Sequence, residues 1–369
     1  MRDSGAARKS TIGRRNFLEL GVGTLTTSAV IGRKAFAQGN AGRPDSIDMH
    51  THWEPEAYTK ALSKMRAHSG ESSNPLAFDL DKRRKWMDEH GVQMHVLTLS
   101  GAMPWQWVPP EVGAHLAEII NDANVEAHTA FPERFVGGIE VSIRDPELAL
   151  NELNRMAGKP GMRTVHLPNS IEGRDYVFEE RYGPFLARCE ELGYPLLFHP
   201  LDGDENIFGG WRSRLATPAA RAANLNNVLG FPFEHTTTAA KFIITGTLDK
   251  YPKLDVVLLH AGGTFPFQAG RIHRGIVNSG NYSRRQYAFR DYIRRFHYDT
   301  LAYSPETLRF LINLVGADRV VIGSNNYAIM DVEYPGSLVE QLKLPEADRD
   351  KVLSGNAARL LQLGTERSA

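Results

Sequence analysis

Histidines at the ends of short apolar runs carry the chemistry that this sequence can do. Asp48-Met49-His50-Thr51-His52 sets two imidazoles at i and i+2, which on a strand is one face. His199 closes Pro195-Leu196-Leu197-Phe198-His199, and His260 closes Val256-Val257-Leu258-Leu259-His260, with Ala261-Gly262-Gly263 behind it. Neither apolar run needs a terminal histidine for packing. Neutral imidazole is a good ligand for zinc or manganese, and three protein nitrogens that leave a position open make a catalytic site rather than a structural one. One divalent cation is therefore expected, zinc first and manganese second. A further position lies in Arg319-Val320-Val321-Ile322-Gly323-Ser324-Asn325. In a metal-dependent hydrolytic barrel the end of the last strand usually holds a carboxylate that binds the metal and moves a proton. Here it holds Asn325, whose amide oxygen coordinates more weakly and cannot carry the proton. Asn326 is expected to face the other way, as the next residue on a strand, and Asp331 lies in the following loop. Of the other histidines, His68, His90, His95, His115, His128, His235 and His297 read as surface, cap or core residues.

These ligands need a scaffold that brings strand ends together. Short β-branched or apolar runs lie at 46–50, 93–99, 135–142, 162–168, 195–200, 255–260, 296–301 and 319–324. Helical patterns lie between them at 80–90, 111–130, 146–157, 179–192, 236–250 and 304–315, and a last one follows at 346–361. Strands that alternate with helices predict a parallel sheet with crossover helices. Eight such units predict an α/β fold of the (β/α)8 TIM-like barrel type, whose strand C-termini line the site. No Gly-x-Gly-x-x-Gly turn follows an early strand, which argues against a doubly wound nucleotide-binding sheet. Residues 53–79 and 201–235 are long connections that each follow a strand, so they are expected over the C-terminal mouth as lid or pocket loops.

The N-terminus reads as an address. Arg14-Arg15-Asn16-Phe17-Leu18 opens a moderately apolar run to Ile31 that is too short and too polar to span a bilayer. It ends at Ala35-Phe36-Ala37, a small-x-small cleavage pattern. The twin arginine resembles a Tat export signal, so residues 1–37 are expected to be removed and the product to be periplasmic or otherwise exported. Residues 38–45 form a linker, 46–361 one barrel domain and 362–369 a tail.

Composition sets the remaining bounds. Of the 369 residues, 42% are hydrophobic and 23% charged, which excludes a disordered or collagen-like chain. Basic and acidic residues number 43 each, and residues 1–37 hold seven basic and two acidic ones, so their removal leaves a net charge of −5. No basic field exists to hold nucleic acid, and no membrane association is expected after signal removal. Cys189 is the single cysteine and sits in a helical pattern as a core residue, so no intramolecular disulfide can form.

These motifs together resemble the amidohydrolase superfamily, in the branch of amino-carboxymuconate-semialdehyde decarboxylase and the non-oxidative aromatic acid decarboxylases. The resemblance covers residues 46–361. It is carried by Ile47 to His52, Trp86-Met87-Asp88-Glu89-His90-Gly91-Val92, Leu197-Phe198-His199-Pro200, the block His260 to Ile272 with its Phe265-Pro266-Phe267 and Gly270-Arg271-Ile272, and Gly355 to Leu360. It implies that His50, His52 and His199 bind the metal, with Asn325 standing at a further ligand position. It implies that His260 activates water or steadies the substrate. It implies that Arg271 binds a substrate carboxylate, in some members that of a neighbouring subunit, so a homodimer is expected. Trp105, Trp107, Trp211 and Phe265 are candidates to stack on a ring. The segment Ser69 to Asn74 lacks the arginine that the branch carries in its first long loop, which argues against a dicarboxylic muconate. The expected activity is decarboxylation of an aromatic or unsaturated acid, impaired by Asn325. The alternatives are hydrolysis of a lactone, amide or ester, and a barrel kept only for periplasmic binding.

Overall fold

The computed structural model describes residues 46–364, apart from 65–73, 101–102, 202–224, 281, 283–284, 329 and 333. The expected signal peptide, His68 and Trp211 lie outside the described residues. Eight parallel strands run in sequence order around one sheet: β1 Ile47–His52, β2 Met94–Thr98, β3 Phe135–Ile139, β4 Met162–Pro168, β5 Leu196–His199, β6 Val256–Leu258, β7 Phe296–Asp299 and β8 Val320–Val321. Parallel bridges from Asp48 to Ile322 and from Thr51 to Asn326 close the last strand against the first, which makes the sheet a barrel.

A crossover helix follows each strand up to β7: α1 Leu80–Glu89, α2 Pro110–Ala130, α3 Pro146–Met156, α4 Gly183–Leu192, α5 Phe231–Ile244, α6 Phe265–Asn278 and α7 Pro305–Val315. Their starts are legible. Asp79, Asp145 and Ser304 each cap a helix by accepting from its first-turn N–H groups, and Pro146 and Pro305 sit at the first helical position, where no N–H is needed. Helix α6 carries the Phe265-Pro266-Phe267 and Gly270-Arg271-Ile272 motifs, with Pro266 in its first turn. The long 53–79 connection also holds a short helix, Glu56–Ser63. The helical stretch expected at 346–361 is three successive turns, with a π turn at Lys351–Gly355 before α8, Asn356–Leu360.

The barrel interior is filled at its base by Ile47, Met49, Val96, Val136, Leu197, Val257 and Val321, which form one buried cluster with Ala357, Leu360 and Leu361. The last helix therefore seals the bottom, and the polar ends of the strands are left for the top. A larger cluster packs the outer strand faces against the helices and includes Cys189, fully buried as expected.

Candidate metal centre

His50 and His52 end β1, His199 ends β5 and His260 follows β6. Their rings pack edge to face, with centroids 5.3 Å apart for His50–His52 and for His50–His199, and 4.9 Å for His52–His199. One nitrogen from each of His50, His52 and His199 lies within 4.8 Å of the other two. The expected triad is thus assembled at the mouth. His260 stands beside it, 4.7 Å from His50 and 5.1 Å from His199 by centroid, but outside the close cluster.

Outer partners fix each ring. His50 Nδ1 donates to Asp299 Oδ2 at 2.7 Å, His52 Nδ1 to the Leu99 carbonyl at 3.0 Å, and His199 Nδ1 to the Pro200 carbonyl at 2.7 Å. With every Nδ1 committed as a donor, a neutral ring keeps its lone pair on Nε2, the tautomer of a metal ligand. Burial keeps the rings neutral. It holds His52 down at about 4, and it holds His50 and His199 well below the ordinary histidine range, helped by the neighbouring imidazoles.

Two features of the donor set fit a cation. The Nε2 of His50 is buried with no hydrogen-bond partner among the described residues. Asn325 Oδ1 stands 2.9 Å from His52 Nε2, which sets a neutral amide donor beside the three nitrogens. A positive ion at the triad would satisfy all of these atoms.

Asp299, at the end of β7, was not singled out from the sequence, although a charged residue closing a barrel strand is the signal that identified the histidines. Its carboxylate orients His50 and also accepts from the backbone N–H groups of His260 at 2.9 Å, Ala261 at 2.6 Å and Leu301 at 3.1 Å. Residues 260–263 all have positive φ, and two of them, His260 and Ala261, are not glycine. Such residues cost about 1–3 kcal/mol each and persist only where the surroundings hold them. Asp299 is the group that holds this turn, so one buried carboxylate sets both a ligand of the triad and the approach of His260. Burial raises its own pKa, while His260 and the three N–H groups oppose the shift.

Two other features were missed. Glu140 follows β3, and its Oε1 accepts from His166 Nδ1 at 2.7 Å and from the Leu99 N–H at 2.9 Å. His166, in β4, lies 6.0 Å from the His199 ring, so an imidazole–carboxylate pair lies beside the triad. His235 is buried, as a core histidine would be, but it also makes a 2.9 Å contact from Nε2 to His260 Nδ1 and so joins the site.

The structure revises three expectations. Strand β8 ends at Val321, and Asn325 has φ 57°, so it sits in a turn rather than on a strand. Alternation of strand faces therefore does not apply to Asn325 and Asn326. Asparagine tolerates this left-handed backbone better than most residues. Phe265 is fully buried against Phe296 and Trp105 is buried in the outer core, so both are packing residues with no face for a ligand. Trp107 is half-buried and packs on the same core. Arg271 is exposed on α6, and Asp331 is exposed too.

A family model described as Amidohydrolase matches residues 47–363. A 2-amino-3-carboxymuconate-6-semialdehyde decarboxylase of Dictyostelium discoideum is 27% identical over 298 residues, covering 78% of this chain and 77% of the relative. A gamma-resorcylate decarboxylase of a Polaromonas species is 28% identical, covering 77% of this chain and 87% of the relative. The crystal structure of a dihydroxybenzoic acid decarboxylase from Polaromonas, with bound manganese and the inhibitor 2-nitroresorcinol, superposes with a TM-score of 0.71 at 23% identity, over 88% of this chain and 98% of that one. At that identity the superposition shows a shared fold.

Proposed function

The chain belongs to the amidohydrolase family, and from that premise we propose that it is a metal-dependent, non-oxidative decarboxylase of an aromatic or unsaturated carboxylic acid whose turnover is slowed by Asn325. The observation that carries this reading is the convergence of one nitrogen each from His50, His52 and His199, in a chain whose relatives are named as decarboxylases of such acids. Those three residues would hold one divalent cation, zinc or manganese, which when bound supplies Lewis acidity toward the substrate carboxylate or an adjacent hydroxyl.

The protein's own groups do the rest. His260 stands at the rim of the centre, half-buried, where it steadies the carboxylate. Decarboxylation needs a proton on the carbon that bears the carboxylate. The C–C bond then breaks, its electrons return to the ring and CO2 leaves. Asn325 stands where that proton would be delivered, against His52, and its amide has none to give at neutral pH. Arg271 lies exposed on α6, and we assign it to a substrate carboxylate across a homodimer. Trp211 is assigned to ring stacking. Residues 1–37 direct export, so the enzyme works in the periplasm or outside the cell.

The test is CO2 release from a panel of ortho-hydroxybenzoates by the zinc- or manganese-loaded protein, with Asn325→Asp beside it. Slow release by the parent and release faster by about 10²–10⁴-fold in the Asp form are expected, the usual range for an acid–base group. Turnover of esters, lactones or amides with oxygen incorporated from water would replace this reading with a hydrolase. Tight binding without product in both forms would replace it with a binding protein.

A further inference from the structure

His260 does not stand alone behind the centre. Its Nδ1 meets His235 Nε2 at 2.9 Å. His235 Nδ1 in turn meets Asn169 Nδ2 at 3.3 Å, and the same Asn169 Nδ2 lies 2.9 Å from Thr238 Oγ1. Asn169 follows β4 and is tied to β5 by its backbone N–H, which donates to the His199 carbonyl at 3.3 Å. His235 and Thr238 lie on α5. Three elements thus meet in one buried chain of hydrogen bonds, with Asn169 and Thr238 95% or more buried and His235 fully so.

The direction of the chain follows from the amide. Asn169 Nδ2 has two hydrogens and two partners, and Oδ1 has no partner among the described residues. Turning the amide over would leave two buried N–H groups, instead of one carbonyl oxygen, without a partner among the described residues, and orphaned N–H groups are the rarer and costlier of the two. Asn169 is therefore a donor to His235 Nδ1. A neutral His235 that accepts at Nδ1 has its proton on Nε2 and donates to His260 Nδ1. A neutral His260 that accepts at Nδ1 has its own proton on Nε2.

We propose that His235 and Asn169 are positioning residues that lock His260 as its Nε2–H tautomer, so that the ring offers the centre a hydrogen-bond donor and not a lone pair. This deepens the decarboxylase reading and rests on it for its meaning in the reaction. A donor steadies a carboxylate or a developing oxyanion. It cannot take a proton from water, so the resting site is set against general-base hydrolysis. The outer end of the chain is an amide, which does not pass protons on, so a proton reaches His260 only from the side of the centre.

The tautomer is read by long-range 1H–15N correlation spectroscopy on the full, zinc-loaded chain labelled at histidine, with His260 assigned by its loss in His260→Asn. The parent is expected to show a protonated, pyrrole-type Nε2 and a pyridine-type Nδ1 at His260. His235→Gln, which can still donate to His260 Nδ1, should keep that pattern, and His235→Phe should lose it. Asn169→Asp replaces the donor with an acceptor and should invert the pattern, moving the proton of His260 to Nδ1. A parent spectrum with the proton on Nδ1, or a pattern unchanged in both His235→Phe and Asn169→Asp, would overturn the proposal. If His235→Phe does not fold, Asn169→Asp decides alone. None of these spectra depends on a substrate, so a failure of the decarboxylase reading would show in the CO2 assay and leave this result standing.

Discussion

Asp299 shows how much a single buried carboxylate can set. It fixes the His50 tautomer from one oxygen and holds the His260–Ala261 backbone with both. Asp299→Asn keeps the shape and puts an N–H or a weaker acceptor against His50. Second-sphere changes of this kind cost about 10–100-fold in metal affinity, and a chelator competition titration should show a loss of that size with the fold retained. The imidazoles also set how the metal-free protein responds to acid. An unfolded histidine binds its proton near pH 6.5, while burial lowers the folded values to about 4 for His52 and about 3 for His260. Below pH 6.5 the unfolded state therefore holds more protons, and stability falls as the pH falls toward about 4. His50, His199 and His235 shift the same way. Asp48, raised by burial to about 7, opposes them between the ordinary aspartate value of 3.8 and that pH, because there the folded state holds the extra proton. Asp299, also raised by burial, acts in the same sense as Asp48, and five histidines against two aspartates leave a net loss. The melting temperature of the metal-free chain should drop steadily from pH 6.5 to 4.5, and a flat profile would show that the rings are not buried as neutral groups.

At the scale of elements, the turn after β6 is the most constrained piece of the scaffold. A Cβ on Gly263, at φ 64°, would lie 1.9 Å from the Pro232 carbonyl oxygen, with backbone on both sides of the clash. Gly263→Ala must separate α5 from the turn, and with it His235 from His260. Strained backbone of this kind costs about 1–3 kcal/mol per residue before any steric term, so the urea midpoint should fall by at least that equivalent. The strands were legible because a barrel strand is a short apolar run with a polar residue at its end, and all eight runs found in the sequence overlap a strand. The same rule picked out His50, His52, His199 and His260. It was not applied to Asp299, Glu140 or His166, because a carboxylate or a histidine within a mixed polar run such as Phe296-His297-Tyr298-Asp299-Thr300 does not stand out against its neighbours. His235 could not have been found this way. It lies on a helix, and its link to His260 depends on how α5 packs over the mouth. Asn325 meets His52 at 2.9 Å, and its left-handed backbone has no signal in the sequence, because asparagine occurs in strands and turns alike.

The whole molecule is held by a core that continues through the barrel to its base. Leu360 and Leu361 join Ile47, Met49 and Val257 in the interior cluster. Leu360→Ala removes buried methyl groups from a site whose neighbours belong to several strands, and such cavities cost about 2–5 kcal/mol. Denaturant unfolding should report a loss in that range, with metal binding by the folded fraction unchanged, since the cavity opens at the end of the barrel away from the histidines. Metal removal acts on the entire domain as well. A ligand present at about 100 times its Kd stabilises a folded protein by about 2.7 kcal/mol, so chelation should lower the melting temperature measurably in the parent.

The ring closes only where its first strand meets its last. His50 reaches Asp299 across 249 residues of chain, and His52 reaches Asn325 across 273. Contacts this distant in sequence are the slow ones to form, because loop closure is paid before the contact rewards it. A ribosome-bound fragment that lacks the final third of the chain would carry the histidines of β1 and β5 but neither Asp299 nor Asn325, with no eighth strand to seal the seam. Such an intermediate would bind a cation weakly, and tight capture of the ion becomes a readout of completed synthesis.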